Sequence, residues 1–217
     1  MKEINSGFFV SGTDTNIGKT VVSACLAYKL NGEYWKPIQC GYNNKGETDS
    51  DVVKRITDGN IKVHQENYLL KNPISPNLAA IKEGISINIK DIKLPKNNLQ
   101  NNIIVEGAGG LLVPIDNKYF VIDLIKKLSL PLILVSSTKL GTINHTLLSI
   151  SEIIKKDVDF RGIIFTGEIL KDVINTIEEF AKKIYVLKRK KIVLGCLPKV
   201  EKVDFETIKR FESLIKI

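Results

Sequence analysis

Phe8-Phe9-Val10-Ser11-Gly12-Thr13-Asp14-Thr15-Asn16-Ile17-Gly18-Lys19-Thr20 carries a short apolar run into a glycine-rich turn that opens an amphipathic stretch. That order predicts a strand, a phosphate-binding loop and a helix. Backbone N–H groups of such a loop, with the positive end of the following helix, bind polyphosphate oxygens without any side-chain charge. Lys19 adds a mobile positive charge near the β- and γ-phosphates, and the Thr20 hydroxyl is placed to ligate Mg2+. Asn16, Ile17, Gly18 and Val21 complete the phosphate-loop part of the set expected to touch nucleotide, which also takes in Asp51, Glu106 and the Gly107-Ala108-Gly109 turn. Gly12 and Gly18 stand one residue further apart than the usual pattern has them, which points to a divergent subclass of such loops.

Around this stretch, 217 residues with 43% hydrophobic and 26% charged content fit one α/β domain spanning 1–217 with a full core. The first residues are too short an apolar run, and lack a cleavage site, for export. No segment approaches membrane-spanning length. Three cysteines, Cys25, Cys40 and Cys196, sit in no paired metal spacing, which suits reduced thiols and a cytoplasmic location. The net charge of +8 concentrates at 182–191. Without interleaved aromatics or a nucleic-acid module, this reads as a solvated basic face, so neither nucleic acid nor membrane is expected as a partner.

Apolar β-rich runs alternate with helical periodicity throughout, the rhythm of a parallel sheet. Strands are expected at 7–11, 33–38, 102–106, 131–136, 160–165 and 191–195, with a short extended piece at 111–115. Helices are expected near 18–31, 49–57, 76–83, 119–128, 142–156, 170–183 and 204–216. The stretches 59–74 and 95–102 read as surface connections. The fold class is therefore α/β: a single P-loop-like domain with a mainly parallel central sheet and helices on both faces.

In such sheets ligands gather at the carboxyl ends of the strands. Lys36-Pro37 follows the second strand, with Asp49 and Asp51 opening the next helix. Glu106-Gly107-Ala108-Gly109 follows the third, and Lys139-Leu140-Gly141-Thr142-Ile143-Asn144-His145 the next. A bare Glu106 carboxylate at the end of Asn102-Ile103-Ile104-Val105 is costly to bury without a countercharge. Two remedies are open: a divalent cation shared with Thr20, Asp51 and phosphate oxygens, or a structural pair with Lys36 or Lys19. Asp49 competes with Asp51 as the acid of this set.

With these motifs in order, the chain resembles the dethiobiotin synthetases of the deviant P-loop superfamily. The resemblance rests on Gly12 to Thr20, Lys36-Pro37, Val105-Glu106-Gly107-Ala108-Gly109-Gly110 with Val113-Pro114, and Lys139 to His145. It covers the chain to about residue 165, and Leu194-Gly195-Cys196-Leu197-Pro198 echoes it near the end. It implies ATP- and Mg2+-dependent ring closure of 7,8-diaminononanoate with CO2, drawn from bicarbonate, to dethiobiotin, releasing ADP and phosphate through a carbamate and its phosphoric anhydride.

The resemblance also implies residue roles. Lys19 follows the γ-phosphate, and Lys36 stabilises the carbamate. Thr20, Asp51 and Glu106 hold Mg2+. Thr15 and Cys40 meet the diamine, and Gly141, Thr142, Ile143 and Asn144 of a neighbouring subunit hold its carboxylate, which makes the protein a homodimer with shared sites. Cys40 stands where the family usually has Ser or Thr, and Thr166-Gly167 where it has a base-reading Asn-Asp. Adenine selection would then be relaxed or moved to Pro198, Lys199 and Val200. A switch ATPase of the same superfamily would carry a second lysine where this chain has Thr13-Asp14. A metal-insertion GTPase would need a Cys/His cluster and a guanine-reading motif that the sequence lacks.

Overall fold

The computed structural model describes residues 7–95, 102–185 and 191–217. Strand β1 (Gly7–Gly12) is apolar on both sides: Phe9 and Val10 face opposite ways and neither is exposed. A strand of that kind must be covered on both faces, and β1 lies at the centre of a seven-stranded parallel sheet. Its neighbours are β6 (Ile103–Gly110) and β7 (Leu132–Ser137). Beyond β6 come β2 (Glu33–Trp35) and β4 (Val63–His64), and beyond β7 come β8 (Phe160–Gly167) and β9 (Val193–Pro198).

Alternation along the strands divides the core in two. Val10, Tyr34, Ile104, Ile133 and Ile164 pack under α1 (Lys19–Lys29), α2 (Asp49–Ile56) and α7 (Phe205–Glu212). Phe9, Trp35, Val105, Leu134 and Phe165 pack under α3 (Pro76–Glu83), α4 (Val121–Leu128), α5 (Thr142–Lys155) and α6 (Lys171–Tyr185). The expected α/β architecture with helices on both faces is the one observed.

Several boundaries differ from expectation. The strand expected over 33–38 breaks at Lys36-Pro37, because proline has no N–H for the ladder. The chain then leaves the main sheet for a separate two-stranded parallel sheet of β3 (Ile38–Cys40) and β5 (Tyr68–Leu70), and the Pro37 carbonyl accepts from the Asn67 and Tyr68 amides at 2.9 and 3.0 Å. The stretch 59–74 thus contains β4 and β5, too short to show a period. The piece at 111–115 is a turn with an isolated antiparallel bridge from Pro114 to Phe120. The last strand runs to Pro198 rather than stopping at 195, and the last helix ends at Glu212. Most of the connection at 95–102 and half of the basic stretch, 186–190, lie outside the described residues. Lys182 at that stretch's start pairs with Glu178 at 2.9 Å. Among the described residues, no helix is long and apolar enough to cross a membrane.

Candidate active site at the carboxyl edge of the sheet

Between β1 and α1 the backbone turns through two left-handed residues, Asn16 (φ 53°) and Gly18 (φ 85°). A Cβ on Gly12 would stand 2.7 Å from Ile17 Cδ1 and 3.0 Å from the Asp14 carbonyl oxygen, so the loop can fold back on its strand only because that position is glycine. Gly18 caps α1 without any side chain, and the first turn of the helix holds no acid. Its amides and the positive helix end are left for an external anion. Lys19, largely buried, donates to the Asp14 carbonyl at 2.6 Å. Burial draws its ammonium from the ordinary 10.5 down to about 8, against the upward pull of Glu106.

Glu106 reaches the site by strand parity. Tyr34 is registered with Ile104 across β2 and β6, and Glu106 lies two residues beyond Ile104, on the same face. The Tyr34 hydroxyl accordingly donates to Glu106 Oε2 at 2.9 Å. Lys36, two residues after Tyr34, turns the same way, and its Nζ lies 3.1 Å from Glu106 Oε1. Thr20 at the start of α1 donates to that same oxygen at 3.1 Å. The ammonium also contacts Asp49 Oδ2. Glu106 is 1% exposed, and three donors answer its charge. Burial pulls the Lys36 pKa down, but Glu106 and Asp49 outweigh it and the net shift is upward. The Tyr34 phenol is pushed well above 10.0 by burial, with the Glu106 charge adding to it.

Of the two acids in the first turn of α2, the structure sends each to a different task. Asp51 forms a capping box with Thr48: its Oδ2 accepts from the Thr48 amide at 3.1 Å and hydroxyl at 2.8 Å, while its amide donates back to the Thr48 hydroxyl. Asp49 faces Lys36, and its amide is tied to Gln39 Oε1 at 3.3 Å. The open cleft here measures about 1010 Å³. Its lining includes Thr15, Asn16, Gly18 to Val21, Lys36, Cys40, Asp49, Glu106, Ala108 and Gly109, but not Asp51. Burial raises the Cys40 thiol to about 11, so it enters the cavity as a neutral SH.

The remaining expected residues fall elsewhere. Gly141, Thr142, Ile143 and Asn144 do not line this cavity. Gly141 begins α5 at φ 91°, Leu140 before it is fully exposed, and the Thr142 hydroxyl turns inward to Ser136 at 2.9 Å. Thr166 donates to the Ile17 carbonyl at 2.6 Å and so braces the phosphate loop. Pro198 is registered with Gly167, whose carbonyl accepts from the Lys199 amide at 3.1 Å, with Val200 next in the chain. Gly107 packs against Phe9, which a Cβ there would meet at 2.8 Å. One residue of the site is not legible as such in the sequence: Tyr34 reads as core in an apolar strand. Asp49, expected as a rival of Asp51 for a cation, pairs with Lys36.

Among the described residues no three His, Cys, Asp or Glu side chains gather as a metal cluster. A glutamate and a threonine hydroxyl sharing one oxygen's surroundings, beside a phosphate loop, nevertheless fit Mg2+, which is commonly held by one or two carboxylates and substrate phosphates.

A parallel sheet with a glycine-capped, anion-ready helix after its central strand, and a buried lysine–carboxylate set beside it, defines a P-loop nucleotide-binding protein. A family model described as an AAA domain matches residues 6–207. The chain is 45% identical over 175 residues to the ATP-dependent dethiobiotin synthetase BioD of Lawsonia intracellularis, covering 81% of this chain and 83% of that one. It is 40% identical to the enzyme of the same name from Rhodopseudomonas palustris strain TIE-1, over 90% and 87% of the two chains. The chain belongs to the dethiobiotin synthetase family. Among solved structures, HypB from Helicobacter pylori in complex with nickel aligns with a TM-score of 0.52 at 17% identity, over 98% of this chain and 86% of that one; that likeness shows the fold alone.

Proposed function

We propose that this protein closes the ureido ring of dethiobiotin from 7,8-diaminononanoate, CO2 and ATP, releasing ADP and phosphate. The observation that carries the reading is the meeting of Lys19 and Thr20 with Lys36 and Glu106 in one cavity, in a chain 45% identical to a named synthetase. One substrate amine adds to CO2 and loses a proton, giving a carbamate. A carbamate oxygen takes the γ-phosphoryl group and ADP leaves. The second amine then attacks the mixed anhydride carbon, phosphate departs and the cyclic urea remains. Such transfers need positioning and charge neutralisation more than a nucleophilic side chain.

The phosphate-loop amides from Asn16 to Val21 and Lys19 bind the triphosphate, with Lys19 moving from the Asp14 carbonyl to the γ-phosphate. Ala108 and Gly109 line the cavity where the strand end would meet the triphosphate, and Gly107 before them packs on Phe9. Lys36 holds the carbamate and its phosphorylated form. Thr20 and Glu106 would hold Mg2+, and Asp51, which caps α2 in this structure, is the third expected ligand. When bound, that cation neutralises charge on the β- and γ-phosphates. Thr15 and Cys40 meet the diamine. The engagement of the Thr166 hydroxyl with Ile17 supports adenine selection that is relaxed or carried by Pro198, Lys199 and Val200.

The substrate carboxylate is assigned to the start of α5, Gly141 to Asn144, of a second copy. Supporting this, that helix start lies outside its own chain's cavity and carries Leu140, Ile143 and Leu148 exposed beside it. The protein would then act as a homodimer in the cytoplasm. Mass-spectrometric detection of dethiobiotin, with ADP released in a one-to-one ratio and only when diamine is present, tests the reading. ADP release that ignores the diamine would refute it.

A further inference from the structure

Lys36 has two carboxylates for one ammonium. Glu106 is buried, pinned at Oε2 by Tyr34, and shares Oε1 between Lys36 and Thr20. Asp49 has about a third of its side chain exposed and stands on the first turn of α2, where the helix dipole favours negative charge. Its amide is fixed by Gln39, which is buried and itself anchored to the Gly41 carbonyl at 2.8 Å. Asp49 is therefore a second partner whose backbone is anchored beside the ammonium. The two partners do not compete equally for a cation, because Oε1 of Glu106 is the oxygen facing Thr20 and the phosphate loop. Were a divalent cation held beside the phosphate loop, Glu106 would be shared with it, and Lys36 would then depend on Asp49.

We propose that Asp49 is a positioning residue for Lys36: it is the seat that keeps the ammonium in place once Glu106 turns to the metal. With Asp49 present, giving up Glu106 does not leave the buried Lys36 ammonium without a countercharge, which is an unfavourable state. The exchange thus lowers the cost of metal entry and leaves Lys36 where a carbamate oxygen would be met. The inference rests on the synthetase reading for the carbamate alone. The exchange between Lys36 and the cation can be tested without diamine.

The test is binding of Mn2+, as a paramagnetic stand-in for Mg2+, with a non-hydrolysable ATP analogue, measured by electron paramagnetic resonance on full-length protein. Asp49→Asn should weaken Mn2+ about tenfold, because Lys36 then has only Glu106 and holds it against the metal. In a Lys36→Gln background the same substitution should change Mn2+ affinity less than twofold. A tenfold loss that persists without Lys36 would make Asp49 a direct ligand and overturn the proposal, as would no loss in the presence of Lys36. A second measurement avoids the Lys36 variant altogether. Acylation of Lys36 by acetic anhydride, followed by mass spectrometry, should rise at least fivefold on adding Mn2+ and analogue to Asp49→Asn, and less than twofold in the wild type. Equal responses in the two proteins would refute the seat. If dethiobiotin formation fails while these outcomes hold, the error lies in the reaction and not in the exchange.

Discussion

Replacing Lys36 by methionine keeps an apolar stem, in a side chain one atom shorter, and removes the ammonium, with its charge and its hydrogen-bond donors. Glu106 would remain at 1% exposure with its Tyr34 and Thr20 hydrogen bonds but no cation. Removing one partner of a buried ion pair costs about 3–5 kcal/mol, and the two surviving hydrogen bonds place the expectation at the lower end, about 3 kcal/mol. Asp49, partly exposed, can return to water and adds little. For a chain of this size that loss lowers Tm by roughly 6–12 °C. Urea denaturation followed by circular dichroism gives the free energy directly, with an unchanged m-value showing that the unfolded state is not the cause. The decisive comparison is Lys36→Met with Glu106→Gln. Neutralising both ends should recover at least half of the loss, because what destabilises the single variant is an unanswered charge and not a missing contact. A single variant within 1 kcal/mol of the wild type, or a double variant less stable than either single, would refute the reasoning.

Further expectations follow from the same site. Lys19, with a folded value near 8 against an ordinary 10.5, carries a penalty of about 3 kcal/mol at pH 7. The unfolded chain binds the extra proton between those values, so this group's contribution rises in favour of folding as pH climbs from about 8 to about 10.5; Lys19→Met should flatten that limb in urea titrations against pH. Nucleotide binding needs the charged form, so ATP analogue affinity in calorimetry should be level below pH 8 and fall up to tenfold per pH unit above it. Tyr34→Phe leaves Glu106 Oε2 without its donor and should cost about 1–3 kcal/mol in the same melts; a loss below 0.5 kcal/mol would mean that the bond does not hold the carboxylate. Cys40→Ser replaces a weak donor with a stronger one, and diamine KM should stay level or fall, whereas a rise above threefold would remove Cys40 from the substrate surface.

How far the fold and site could be read from sequence depended on whether a residue's role was local. The stretch from Phe8 to Thr20 announces itself, since an apolar run, glycines at a turn and an uncapped helix start are neighbours in the chain. The central strands were legible for the same reason: burial on both faces makes them apolar throughout. The break at Lys36-Pro37 was hidden because Glu33-Tyr34-Trp35 and Ile38 look like one run, and only the missing proline N–H splits them between two sheets. β4 and β5 have two and three residues, and their pairing is decided by partners rather than by pattern. The tasks of Asp49 and Asp51 could not be separated from spacing, because both stand in one helical turn. Capping geometry draws Asp51 to Thr48, and Asp49 at the start of α2 is left to face Lys36.

The central claim is that this cavity turns a diamine, CO2 and ATP into a cyclic urea. Incorporation of labelled bicarbonate into acid-stable product measures it most directly. Purified protein with Mg-ATP and 7,8-diaminononanoate should fix label that survives acid, co-migrates with dethiobiotin and vanishes when either diamine or ATP is left out. Acid-labile label only, or ATP hydrolysis at the same rate with and without diamine, would contradict the account.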